Sequence, residues 1–196
     1  MKKGTIIIFT VIAFIAAVVL WGMSVYNGLV SVEESVNKQW ANVESQYQRR
    51  ADLIPNLVAT VKGYASHESQ TLENVVAARA RATQVTVDAE SLTPEKLQAY
   101  QAAQGELTSA LGRLLLITEN YPDLKANQNF QELQAQLEGT ENRIQVERSR
   151  YNEVAQTYNT TVRRFPRNVI ASLFGFDKKP YFEADKEAKQ APKVEF

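Results

Sequence analysis

The only histidine of the chain, His67, lies in the run Ser66-His67-Glu68-Ser69. A histidine followed by glutamate begins the H-E-x-x-H pattern, in which two imidazoles one helical turn apart grip zinc and the carboxylate activates water. Position 71 is threonine, so the second ligand is missing and His67 reads as a solvent-facing or helix-pairing residue. Cysteine is absent, which removes thiolate nucleophiles, sulfur–metal sites and disulfides together. Arg49, Arg50 and Asp52 form a tight charged group that could hold an anion or meet a partner, or could cap a break in a helix. Tyr26-Asn27, Tyr151-Asn152 and Tyr158-Asn159 repeat a phenol beside an amide. That pairing suits ligand recognition, but Tyr151 and Tyr158 fall on an apolar seam, which favours packing with a hydroxyl partner. Arg79, Arg81, Arg143, Arg148, Arg150, Arg163 and Arg164 alternate with acids and read as a solvated face. Glu33 and Glu34 have no apolar surround to raise a pKa. No phosphate loop, nucleophile elbow or triad occurs. The expectation is a protein that is not an enzyme and uses no metal or cofactor. With 22 basic and 22 acidic side chains, the formal charge is zero, and no basic footprint for nucleic acid appears.

These residues must be positioned by helices. Ala, Gln, Glu, Leu and Arg are abundant between 31 and 165, where Pro and Gly are sparse. Leu29, Val36, Val43, Arg50, Leu57 and Tyr64 stand seven apart, beside Glu33, Trp40, Tyr47, Ile54, Val61 and Glu68. Together they form a coiled-coil-like a/d seam interrupted by Arg50. The pattern continues weakly through Leu72, Val75 and Val76, then fades into a turn or frayed end near 83–92. Pro55 lies inside it. A proline removes a backbone donor and clashes one turn back, at a cost of about 3 kcal/mol, so a kink or short break is expected near 51–54. Asp52 would then cap the restarting helix, Arg49 and Arg50 would face the closing dipole, and Pro55 and Asn56 would lie at the break as a possible partner contact.

A second helix opens at Thr93-Pro94-Glu95, with an N-cap hydroxyl, proline at the first position and an acid at the positive end. Its apolar face reads Leu97, Tyr100, Leu107, Leu111, Leu114 and Leu115, and Asn120 and Pro122 stop it. A third carries Phe130, Leu137, Ile144, Tyr151, Tyr158 and Phe165 at strict sevens, until Pro166. Its companion row of Leu133, Thr140, Glu147, Val154 and Thr161 is half polar. Thr140, Glu147 and Thr161 are therefore expected at an edge or a contact between subunits. The charged stretch 177–196 is expected to be largely extended, with one or two of Tyr181, Phe182, Val194 and Phe196 docking back.

The N-terminus points to lipid. Thr5 to Met23 is uncharged and strongly apolar. As a helix it is about 28 Å long, close to the ~30 Å hydrocarbon thickness. Trp21 and Tyr26 stand where an aromatic belt belongs, and Lys2 and Lys3 precede the span. No small-residue cleavage site follows. The expectation is an uncleaved signal-anchor in a bacterial inner membrane, with the N-terminus cytoplasmic and the remainder extracytoplasmic or periplasmic.

Several stretches resemble the LemA family: Tyr-Asn-Gly-Leu-Val at 26–30, the run at 39–68, the run at 119–144, Tyr151 to Pro166, and the end from Gly175. The resemblance spans nearly the whole chain in order. It implies a helical bundle behind one membrane helix, in a family associated with membrane assemblies and, in one branch, with magnetosome membranes. It implies no catalytic residues. The fold expected is all-α: an N-terminal stub and transmembrane helix (1–24), an antiparallel bundle of three to four long helices (25–176), and the tail (177–196). The expected role is a self-associating scaffold of the cell envelope that contacts the bilayer and other envelope proteins. The alternative is an adaptor or regulator of another membrane protein, such as a protease.

Overall fold

The computed structural model describes residues 3–183. Lys2 and the segment 184–196, with Val194 and Phe196, lie outside the described residues. Within them all regular structure is helical: α1 (Lys3–Tyr64), α2 (Ser69–Gln84), α3 (Pro94–Thr118), α4 (Pro122–Lys125), α5 (Gln128–Arg163) and α6 (Arg167–Phe174). The all-α expectation, with an apolar helix at the N-terminus, is met. The weak periodicity after Tyr64 belongs to a separate helix: the chain turns at 65–68, and Leu72 and Val75 bury on α2 while Val76 stays exposed.

α1 changes character along its 62 residues. Near the N-terminus an 18-residue window has a mean hydropathy of 2.8 and no side chain buried within the chain. From Val25 onward the same helix is amphipathic. Leu29, Val36, Val43 and Leu57 from one row, and Trp40, Tyr47, Ile54 and Val61 from the other, are all buried. Burying such a side chain stabilises by about 1.5–3 kcal/mol relative to exposure. α5 runs antiparallel along this face, since Glu33, Gln39 and Arg50 meet Tyr158, Glu147 and Glu141 in turn. α2 packs on both α1 and α3.

The buried side chains form two separate apolar cores. One joins Val25–Tyr47 of α1 to Ile144–Val162 of α5, with Leu97 and Tyr100 of α3 and Val87 and Leu92 of the preceding loop. Trp40 anchors it, with Tyr100, Tyr151 and Phe182 rings 5.4, 5.7 and 5.8 Å away; its indole N–H donates to the Val87 carbonyl at 3.1 Å. The other core joins Ile54–Val61 to Leu72–Ala82, Leu107–Leu114, Leu124, Phe130 and Leu137.

Helix ends follow their local chemistry. Thr93 caps α3 as expected, accepting from the Lys96 amide at 3.3 Å with Pro94 at the first position. Asn127 caps α5 through the Phe130 amide at 3.0 Å. α6 ends at Gly175, whose φ of 76° lets the Phe176 amide reach back to the Ala171 carbonyl at 3.0 Å.

Candidate functional site

The two cores are parted at the level of Arg50. This residue holds an apolar position in its heptad row and is 2% exposed. Its guanidinium donates to Glu141 Oε2 at 2.7 Å, Thr108 Oγ1 at 2.9 Å and Gln104 Oε1 at 2.7 Å. It also lies over the Tyr47 ring, 5.2 Å from the centroid. Gln104 is buried too, and its amide donates to the Ala82 carbonyl at 3.3 Å. Arg50 of α1 thus ties α3 to α5, and Gln104 carries the link on to α2. A buried cation needs such partners, because leaving it unpaired costs several kcal/mol in a low-dielectric interior, on the order of 3–5. The Arg50 Nε finds no hydrogen-bond partner among the described residues.

Arg50 therefore does not serve the end of a broken helix, and the expected break at 51–54 is corrected: α1 continues through Pro55. The physical reason lies one turn back. Proline cannot donate to the carbonyl of Ala51, and Ala51 is buried. Arg79 of α2 supplies the missing donor, its Nε reaching the Ala51 oxygen at 2.7 Å. Asp52 caps nothing; it accepts from Gln48 Nε2 at 2.7 Å on the exposed face, where Arg49 and Asn56 also lie. The sequence-expected cluster is thus divided, with Arg50 inside and Arg49, Asp52, Pro55 and Asn56 outside.

The polar companion row of α5 also turns inward. Thr140 is 2% exposed and donates to the Gln136 carbonyl at 2.7 Å. Glu147 accepts from Gln39 Nε2 at 2.6 Å and from Arg150 at 2.7 Å. Thr140 is thus buried rather than at an edge, and Glu147 meets Gln39 of this chain's own α1. Thr161 is half-buried and bonds the Thr157 carbonyl at 2.8 Å.

A second polar arrangement explains the Tyr-Asn repeat. The segment 176–183 lies as an extended strap on α5. Asn159 donates to the Lys179 carbonyl at 2.8 Å and accepts its amide at 2.9 Å. Asn152 does the same for Phe182, at 3.0 and 2.9 Å. Seven helical residues rise about 10.5 Å, and three extended residues span about 10 Å, so the two amides match the two backbone sites. Tyr151 donates to the Pro180 carbonyl at 3.1 Å. Lys179, 6% exposed, binds Glu33 at 3.0 Å, and Arg148 stands 4.9 Å over the Phe182 ring. Arg79 and Arg148 are thus engaged, where composition placed them on a solvated face. Phe182 docks as expected, whereas Tyr181 is 44% exposed.

Two open clefts flank the polar layer. One, of about 660 Å³, includes Glu44, Arg49, Asp52 and Tyr100; the other, of about 600 Å³, includes Tyr47, Arg50, Glu141 and Arg148. Burial pushes the Tyr100, Tyr151 and Tyr158 phenols well above their ordinary range, with Tyr47 adding at Tyr100 and Glu33 at Tyr158. Partial burial also raises Glu44, with Asp88 adding to the effect. Among the described residues no three His, Asp or Glu side chains converge as metal ligands. His67 is exposed, and Glu68 accepts from the Tyr121 hydroxyl at 3.0 Å. The chemistry on display is recognition and positioning: hydrogen bonds, buried charge and backbone clamping.

The sequence signalled Arg50 as the polar member of an apolar row, and Asn152 and Asn159 by their spacing. It held no signal for Gln104 or Glu141 as the partners of Arg50, or for Arg79 as the donor to Ala51.

Comparison with known proteins finds relatives along most of the chain. Magnetosome protein MamQ 2 of Paramagnetospirillum magneticum is 28% identical over 94% of this chain and 72% of its own length. Magnetosome protein MamQ of Magnetospirillum gryphiswaldense is 27% identical over the same shares. Protein LemA of Metamycoplasma hominis is 23% identical over 81% of this chain and 68% of its own. Residues 39–196 match the model of the LemA family. That match takes in α2 to α6 and the membrane-distal part of α1, and the chain belongs to the LemA family.

Proposed function

We propose that this chain is a membrane-anchored helical scaffold of the bacterial cell envelope, built to hold an interaction surface at a fixed distance from the bilayer. The observation that carries this reading is the continuity of α1. Its apolar, uncovered stretch passes without interruption into the helix that contributes to both cores. Membrane association is supported by that stretch and by the relatives. In this reading 1–24 form the stub and span, 25–176 the body, an antiparallel bundle, and 177–196 the tail, whose first part straps the body. Lys3 at the start of the span puts the N-terminus in the cytoplasm and the body outside the inner membrane, with Trp21 at the interface.

Copies of the chain then meet through the ridge of Arg49, Asp52 and Asn56 beside the larger cleft, which is exposed and carries both charges. Detergent-extracted protein measured by mass photometry should give multiples of the 22.0 kDa chain. The singly charge-reversed R49E protein, which sets carboxylate against carboxylate, should fall to the monomer with its helicity unchanged. A monomeric parent that gains mass only with another membrane protein would establish the adaptor reading instead. For topology, an impermeant thiol reagent should label V146C in outer-permeabilised cells, before the inner membrane is broken.

A further inference from the structure

α5 and α6 meet at a corner that leaves large apolar side chains uncovered. Phe165 is 83% exposed, and Val169, Leu173 and Phe174 of α6 are 56%, 74% and 57% exposed. Beyond α1, the other large exposed apolar residues, such as Val76, Leu116 and Val146, stand singly. A concentrated apolar surface of this kind marks a contact.

Its position says with what. α6 packs on α1 where the apolar stretch ends. Ile170 Cδ1 lies 3.9 Å from where a Cβ on Gly22 would be. The Phe174 and Phe176 rings lie 5.0 and 5.6 Å from that of Tyr26. Pro166 and Arg167 share a groove with Trp21 and Ser24. The corner is thus level with the end of the apolar stretch. Charge points the same way: between Glu153 and Asp177 the chain carries Arg163, Arg164 and Arg167 and no carboxylate, and all three are exposed. A symmetric contact between two such corners would set arginine against arginine. Anionic phospholipid complements both features, offering phosphate to guanidinium and acyl chain to Phe165 and Leu173.

We propose that the α5–α6 corner is a second membrane contact, in which Phe165, Val169 and Leu173 enter the leaflet from which α1 emerges and Arg163, Arg164 and Arg167 bind the phosphates of anionic lipid. This rests on the reading of Thr5–Met23 as a membrane span. Because the chain lacks cysteine, single labels are clean. An environment-sensitive fluorophore is placed on F165C, L173C, F14C or V146C in the full chain, reconstituted in phosphatidylcholine–phosphatidylglycerol vesicles. Emission from F165C and L173C should shift to the blue and be quenched most by nitroxides shallow in the acyl chains. Deep nitroxides should quench F14C, and aqueous iodide alone should quench V146C. Nitroxide carried on phosphatidylglycerol should quench F165C more than the same label on phosphatidylcholine, and R163Q/R164Q/R167Q should lose that difference. If F165C and L173C behave like V146C while F14C stays lipid-quenched, the corner contact is wrong and the span survives. Iodide access at F14C would overturn both readings. Shielding of the corner from iodide and nitroxide alike would assign it to a protein partner and overturn the lipid contact. Equal quenching by the two labelled lipids would overturn the assignment of the arginines to anionic lipid.

Discussion

One side chain decides whether α1 can be continuous through Pro55, and it acts through a single atom. Arg79 Nε satisfies the carbonyl that Pro55 leaves without a donor. Removing it strands a buried acceptor, which costs about 1–3 kcal/mol. Restoring the intrahelical N–H with P55A should make Arg79 dispensable. Urea denaturation of the detergent-solubilised chain, followed by circular dichroism, should show R79A destabilising the parent by that amount and P55A/R79A coupling by at least about 1 kcal/mol. Additive costs would mean the Arg79 contact does not replace the missing bond. At Arg50 the asymmetry of burial sets the order of effects. Glu141 is 39% exposed and Arg50 is 2% exposed. E141L strands the buried cation and should cost about 3 kcal/mol, whereas R50M lets the carboxylate turn to water and should cost less. The double variant R50M/E141L should recover most of the loss; a double variant worse than E141L would refute this account of the layer.

Among the elements, the strap on α5 is the most open to a direct test. Asn152 and Asn159 grip its backbone, so the hold depends on the two amides more than on most strap side chains. N152A/N159A should release it, and trypsin should then cut after Lys178, the Lys179–Pro180 bond being resistant, well before the body is digested. Cleavage no faster than in the parent would show that the amides do not hold the strap. The same element shows what periodicity can and cannot reveal. Heptad rows expose which face of α1, α3 and α5 is buried, because burial repeats with the helix. They do not report what lies opposite. Thr140 and Glu147 looked like a wet outer seam because polarity marks an edge on average; here Thr140 is buried and Gln39 of α1 meets Glu147. Pro55 looked like a break because its cost is local, while the donor that offsets it comes from a residue far along the chain. At its ends the seam thins: Tyr64 is the last residue of α1 and, 45% exposed, meets Asn127 at the cap of α5 through its hydroxyl, and Phe165 lies beyond α5 and is 83% exposed.

At the scale of the whole molecule, the packed phenols couple stability to alkaline pH. Tyr100, Tyr151 and Tyr158 hold their protons to higher pH in the folded chain than when unfolded. Their contribution is complete below the ordinary phenol pKa of about 10 and declines above it, as the unfolded chain sheds protons that the native one retains. A spectrophotometric titration should show these three tyrosinates appearing together with loss of helicity; ionisation of all eight tyrosines before any unfolding would contradict their burial. Apart from its anchor, the molecule is two apolar cores joined through one charged layer, with the strap lying across the core nearer the anchor.

The unbroken course of α1 has a mechanical consequence. From Met23 to Tyr64 the helix rises about 60 Å and stays one helix through Pro55, where Arg79 bonds the Ala51 carbonyl. If Thr5–Met23 is seated in lipid, a rotation or tilt imposed on that end by bilayer thickness or crowding neighbours reaches Tyr64 almost undiminished. The far tip would then report the mechanical state of the membrane to whatever rests upon it.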